Sequence, residues 1–511
     1  MQSNNKQTAI NLISSFIAFF ANLGINFFLT PFVVKKLGIE AYGFLGLSSN
    51  IIGYTSIITI ALNAMAGRFI TIKYQEGSID DANKYFSSVF FSNLILSIIV
   101  ILALIICLYN LEILFNIPSY LLFDVKALFA LSILSTVAGL LTNVYGIATF
   151  IKNRLELSSI RKIFGNILNA CSLIILFGFF PAHLWYYGVT GLLMTLYFFV
   201  TNLGFTRKLT PEFHLNIKNF EWMKVKELLS AGVWGLINRL NNILQHGLDL
   251  VIANIFIGPI FMGIFSMSRS VPTKILALFG SMSGSFLPLL TKLWAQKKKN
   301  EFKNEYLKSI RICGFFSTIP LSCLYIYGDA FYSLWLPDQD STLLQYLTVV
   351  GTIGMVFAMP LEPLWGIFTI TNKLKYSTLT LLANSILVFL TVIISMIFVK
   401  DNITKLFILA GAGSFWGTIR TLFFLPIYGA FCVNEKWNAF YPPIYKSFLS
   451  MMIILTIGFS IKIMFTLDTW FSLIFAGLMQ ILICIIVNSF VILQKKDRQY
   501  LVNRLYNKLN I

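Results

Sequence analysis

The chain has 511 residues, of which 57% are hydrophobic, 15% aromatic and only 12% charged, with a mean hydropathy of +0.78. That balance excludes a water-soluble globular fold of this size, because too few polar side chains exist to cover its surface. The formal net charge of +18 would point to nucleic acid in a soluble protein; in a membrane chain it is first a matter of topology.

A spanning helix needs roughly 20 mainly apolar residues. Such stretches are predicted near 9 to 33, 43 to 67, 86 to 109, 126 to 149, 160 to 180, 184 to 205, 229 to 257, 261 to 290, 310 to 334, 344 to 370, 377 to 399, 404 to 431, 446 to 467 and 470 to 493. The stretches near 160 to 205, and the last two, are divided by very short turns, so 12 to 14 spans are expected. The apolar runs are continuous and lack the two-residue alternation of barrel strands. The predicted fold is therefore an all-α, polytopic membrane protein. The first apolar stretch is too long for a signal-peptide core and is expected to stay in the mature chain.

Two matches at one constant offset divide the chain into halves. Gly38 and Gly43 of LGIEAYGF return as Gly258 and Gly263 of IGPIFMGI, and Tyr145-Gly146-Ile147 with Thr149 returns as Trp365-Gly366-Ile367 with Thr369. Internal duplication is a mark of secondary transporters. The expected organisation is a six-helix bundle over 1–220, a second over 221–440, and two further helices with a basic tail over 441–511.

Most of the 39 Lys and Arg fall beside alternate loops, among them Lys152, Arg154, Arg207, Lys208, Lys297 to Lys299, and Lys495, Lys496 and Arg498 of the tail. The positive-inside rule then places both termini in the cytoplasm. The longest inner loops, 68 to 85 and 292 to 309, read as solvated amphipathic connectors. With six spans each, both halves enter the membrane in the same direction, and the cleft between them is the expected transport path. The last two helices lie outside the repeat, packing peripherally or forming a lipid-facing groove.

Five bases remain inside spans: Arg239, Arg269, Lys274, Arg420 and Lys462. Each costs roughly 2.5–3.5 kcal/mol on insertion scales, so such residues mark a pathway or an ion pair. Lys462 and Arg420 also read as side chains that snorkel to an interface. The seventh span carries the clearest polar stripe, with Asn238, Asn241, Asn242, Gln245 and Asp249 on one face and Arg239 and His246 at its margin. A thinner stripe on the first span has Asn11, Ser15, Asn22 and Asn26. Amides in bundles also serve simply to join helices. Glu362 lies between Pro360 and Pro363, where a broken helix leaves carbonyls unpaired and a carboxylate could complete an ion site. The three histidines do not form a metal-ligand set.

The repeated halves, the phrase KKLGIEAYGF after a first span containing Pro31, Arg68 after the second span and the basic linker before the seventh resemble the polysaccharide transporter branch of the multidrug/oligosaccharidyl-lipid/polysaccharide exporter superfamily. Within it the sequence is similar to bacterial O-antigen and capsule flippases, over essentially the whole chain. The resemblance implies a MATE-like fold in the bacterial inner membrane and transfer of an undecaprenyl-pyrophosphate-linked oligosaccharide by alternating access. It implies a cationic cavity, for which Arg239, Arg269 and Lys274 are the candidates. Asn22, Asn26, Asn238, Asn242 and Gln245 are the candidates for sugar contacts, and Asp249 and Glu362 for H+ or Na+ coupling. No cofactor, metal or nucleic acid is implied; the partners are the lipid-linked oligosaccharide, the bilayer, and a polysaccharide polymerase with its chain-length proteins.

Three other readings stand beside it. A drug or organic-cation antiporter of the same superfamily would call for an acidic cavity, whereas bases predominate here. A lipid II flippase would share the charge pattern. A membrane glycosyltransferase or polymerase would need acid–base groups on an outer loop, and the outer loops are short. No GxxxxGK[ST] phosphate loop is present.

Overall fold

The computed structural model describes residues 2–494 and Arg498; Lys495 and Lys496 lie outside the described residues. All its regular elements are helical, as lipid demands of backbone that must satisfy its own hydrogen bonds. Eleven helical runs are long and apolar enough to cross a membrane, and two bent pairs bring the number to 13. The expected span that fails the test is the seventh, because its polar stripe lowers its hydropathy.

Two compact units divide at Ile264 and Phe265. The first contains α1 (Gln2–Leu37), α2 (Ile39–Tyr54), α3 (Ser56–Gln75), α4 (Ile79–Tyr109), α5 (Leu111–Leu114), α6 (Leu122–Asn143), α7 (Ile147–Ile151), α8 (Leu155–Phe179), α9 (Tyr186–Leu209), α10 (Trp222–Asn242) and α11 (Asp249–Phe256). The boundary falls in the first turns of α12 (Pro259–Gly284). The second unit continues with α13 (Leu287–Ala295), α14 (Lys299–Trp335), α15 (Ser341–Thr352), α16 (Met355–Leu361), α17 (Trp365–Ile370), α18 (Leu374–Phe398), α19 (Asn402–Ile419), α20 (Leu425–Cys432), α21 (Tyr441–Lys462) and α22 (Trp470–Val491).

The loops expected at 68–85 and 292–309 are mostly helix. The α3 helix runs to Gln75 and α4 begins at Ile79, while α13 ends at Ala295 and α14 begins at Lys299. Polar residues there extend the spanning helices past the apolar region, because a helix needs no apolar side chains where water can solvate its surface. The tight turns repeat the duplication in the backbone. Positive φ occurs at Gly38 and Gly258, at Gly77 and Lys297, and at Asn153 and Asn372.

In the first unit α10 lies against α3, α1 against α8, and α6 against α9. Gly232 makes the first contact possible: a Cβ there would sit 2.0 Å from the carbonyl oxygen of Ala61. Two glycines of the duplicated phrase meet each other, since a Cβ on Gly43 would lie 3.0 Å from Gly263 Cα, and one on Gly263 would lie 2.2 Å from the Ile39 oxygen. Small residues let helices approach where lipid supplies no hydrophobic drive between them.

In the second unit α14 is the hub, contacting α13, α15, α16, α21 and α22. The last two helices are fixed to it by polar contacts. Asn488 donates to the Phe315 oxygen (2.9 Å) and to Thr318 Oγ1 (2.7 Å), and accepts from Ser450 Oγ (2.6 Å). Between α21 and the α15–α16 pair they leave a groove of about 540 Å³, lined mainly by apolar residues such as Val349, Ile353, Phe357, Phe448 and Met452.

Candidate functional site

The seventh span owes its shape to a defect. Between α10 and α11, residues Ile243–Gly247 form a π turn, and Leu248 N bonds back to Ile243 O at 3.1 Å. Such turns are rare and concentrate at functional sites. The Gly247 carbonyl accepts from Asn50 Nδ2 (3.0 Å) and from the Tyr54 hydroxyl (2.6 Å). Both donors sit at the end of α2, beside the break where the chain bends by 67° into α3.

Arg239 closes the other side of this lock. Its Nε donates to Ser56 Oγ and its Nη2 to the Gly53 oxygen (2.9 Å). A cation is well placed there, because the carbonyl end of α2 carries partial negative charge. Two broken helices thus satisfy each other's loose backbone groups, and Arg239 has a structural duty that its charge alone did not announce.

Around this lock Asn238 and Asn242 are exposed, Gln245 and Asp249 are buried, and Asn241 is fully buried. Asp249 lies within electrostatic reach of Tyr54. The stripe on α1 divides in two. Asn11 donates to the oxygen and Oδ1 of Asn153 (both 3.0 Å), and Ser15 meets Ser159 at 3.3 Å, so this end joins α1 to the start of α8. Asn22 and Asn26 are half-buried, and Asn26 donates to the Asn22 oxygen within the helix (2.8 Å).

On α12, Arg269 is half-buried with its guanidinium 5.3 Å from the centre of the Phe265 ring, and Lys274 is exposed. One helix brings these two bases about 7.5 Å apart along its axis.

The second unit holds a polar group that periodicity did not reveal. Glu362 begins a 3-10 turn, Glu362–Leu364, and Arg420 begins a second π turn, Arg420–Phe424, that interrupts α19 and α20. The Arg420 guanidinium lies 5.3 Å over the Trp365 ring and within electrostatic reach of Glu362. Its Nε and Nη1 are buried with no hydrogen-bond partner among the described residues, as is the Tyr306 hydroxyl. The Lys462 Nζ contacts both oxygens of Asp329 at 2.6 Å, at one end of the groove beside α21.

Comparison with known proteins agrees with this architecture. The family model for "Polysaccharide biosynthesis protein" matches residues 37–339, more than half of the chain. The chain is 26% identical over 500 residues to the uncharacterized membrane protein EpsK of Bacillus subtilis (strain 168), covering 98% of each. Among solved structures it is similar to the lipid II flippase MurJ in an inward closed conformation, with TM-score 0.68, 17% identity, and coverage of 98% of this chain and 100% of that one. It is also similar to an inward-facing multidrug resistance MATE family transporter of the MOP superfamily, with TM-score 0.60, 14% identity, and coverage of 84% and 97%. The family match over residues 37–339 makes this chain a member of the polysaccharide biosynthesis protein family, with the multi-pass helical fold that it shares with the two solved transporters.

Proposed function

We propose that this protein is a flippase that moves an undecaprenyl-pyrophosphate-linked oligosaccharide, an O-antigen or capsule repeat unit, across the bacterial inner membrane by alternating access, with both termini in the cytoplasm. The observation that carries this reading is the exposure of Asn238, Asn242 and Lys274 on membrane-length helices. Amides and an ammonium group are too costly to turn toward acyl chains, and a polar, anionic headgroup is the cargo that would use them.

Arg269 and Lys274 neutralise the pyrophosphate, Arg239 adds charge while holding the α2–α3 break, and Asn22, Asn26, Asn238, Asn242 and Gln245 offer hydrogen bonds to sugar hydroxyls. The polyprenyl chain suits the groove beside α21, whose volume lies in the range of about 300–1,000 Å³ typical of ligand pockets. Asp249 and Glu362 are the coupling carboxylates. An inside-negative potential adds to the drive: a doubly negative headgroup moving outward gains roughly 4–5 kcal/mol per 100 mV.

The test is complementation of a flippase deletion, read as lipid-linked repeat units accumulating on the cytoplasmic leaflet. The intact gene restores export, and Arg269→Ala with Lys274→Ala abolishes it at unchanged protein level. Full rescue by the double variant removes those bases from the pathway. Rescue of a strain depleted of its lipid II flippase, without rescue of polysaccharide export, would move the cargo to lipid II.

A further inference from the structure

Two acid–base pairs in the second unit are built differently. Lys462 and Asp329 form a closed pair, bidentate at 2.6 Å. Glu362 and Arg420 interact electrostatically, yet two N–H groups of the guanidinium stay buried and unbonded. The surroundings are apolar, with Leu361, Leu364, Ile367 and Phe368 all at most 1% exposed. An arginine side chain does not lose its proton, and a lone charge in such a medium is costly. The region is therefore near neutral in only two ways. Either Glu362 is ionised opposite Arg420, or Glu362 is protonated and another anion faces Arg420.

We propose that Glu362 and Arg420 form a counter-ion exchange site. An anionic oxygen of the cargo replaces the Glu362 carboxylate at the open guanidinium edge, and Glu362, released from its counter-charge, takes up one proton, so that cargo and proton bind together. This rests on the anionic cargo proposed above. The ion bound with the cargo is a proton, because a fixed guanidinium beside the carboxylate repels a sodium ion, whereas a proton neutralises the carboxylate and leaves the guanidinium for the anion. The two helix defects suit the task, since a 3-10 turn and a π turn present both groups where straight helices would point them elsewhere.

Other titratable groups near Glu362 come from α14, where Cys313 lies within its electrostatic reach and the Tyr306 hydroxyl is unbonded. The α16 and α17 helices carry none. On α20, Tyr428 donates to the Lys373 oxygen at 3.3 Å and Cys432 lies beside Tyr428. On α13, Lys292 is exposed.

The experiment uses the full chain in nanodiscs with farnesyl pyrophosphate as probe. Calorimetry between pH 7.5 and 8.5 in two buffers of different ionisation enthalpy gives the protons taken up per ligand. The wild type should take up close to one proton more than Glu362→Gln, a difference in which the ligand's own titration cancels. Its binding should weaken by up to about tenfold per pH unit, the slope of one linked proton, and Glu362→Gln should lose this dependence. Arg420→Gln should bind at least tenfold more weakly. Equal proton uptake by wild type and Glu362→Gln, or unchanged affinity of Arg420→Gln, overturns the exchange alone. Absence of any binding by folded wild type overturns the anionic cargo and the exchange together.

Discussion

The 3-10 turn after Asn143 and the 3-10 turn after Leu361 occupy nearly corresponding places in the sequence repeat, and they are built from different chemistry. In the first, the 3-10 turn Val144–Gly146 packs Tyr145 edge-on against Phe86 (5.7 Å), Phe90 (6.0 Å) and Phe199 (6.1 Å). In the second, the turn Glu362–Leu364 follows Pro360 and contains Pro363, and the aromatic that follows, Trp365, carries Arg420 on its face. The first turn needs no proline and no charge. The 3-10 turn is therefore common to both halves, and the acid–base pair is found beside one of them.

The largest effects should come from breaking that asymmetry. Glu362→Gln and Arg420→Gln should each lower cargo transfer in proteoliposomes by more than tenfold, whereas Tyr145→Phe should stay within twofold of wild type; a loss as large for Tyr145→Phe would mean that the acid–base pair does not set the second turn apart. Next comes the shared glycine contact. Gly263→Ala forces a Cβ to 2.2 Å from the Ile39 oxygen, and should destabilise the protein by about 1–3 kcal/mol as overpacking does, seen as a lower thermal midpoint in detergent. Retention of the wild-type midpoint would show that the helices part at no cost.

Smaller still is the effect expected of the prolines. Since the first copy forms its 3-10 turn without them, Pro360→Ala with Pro363→Ala should keep the fold and cost about 1 kcal/mol or less, measured by the same midpoint; unfolding would mean that the second turn depends on them. Least is Lys462→Ala. The pair with Asp329 is closed but remains 25% and 41% exposed, so its loss should cost at most about 1 kcal/mol.

Composition made the fold readable: long apolar runs can only be helices in lipid, and the duplicated Gly38 and Gly43 located the halves through turns whose backbone then repeats. A period of 100° puts Asn238, Asn242, Gln245 and Asp249 on one face, whereas the structure exposes the first two on α10 and buries the last two at and beyond the π turn. Four features were not legible. The partners of Arg239, Gly53 and Ser56, are distant in sequence. The π turns at Ile243 and Arg420 have no local signature, because they arise where packing inserts one residue into a ladder. The ion pair of Lys462 was not legible either, as its partner Asp329 belongs to a different helix. Polar residues after the second and eighth spans suggested loops, since hydropathy ends at the membrane surface and helix geometry does not.

The most direct measurement is transfer itself, in proteoliposomes that hold the purified chain and a polyprenyl-pyrophosphate-linked oligosaccharide on one leaflet. Wild type should expose the glycan to an added lectin on the other side, and should do so far faster than Arg269→Ala/Lys274→Ala protein of equal folding and abundance. Equal rates for the two proteins, or no transfer above empty liposomes by folded wild type, would contradict a base-lined path for an anionic lipid carrier.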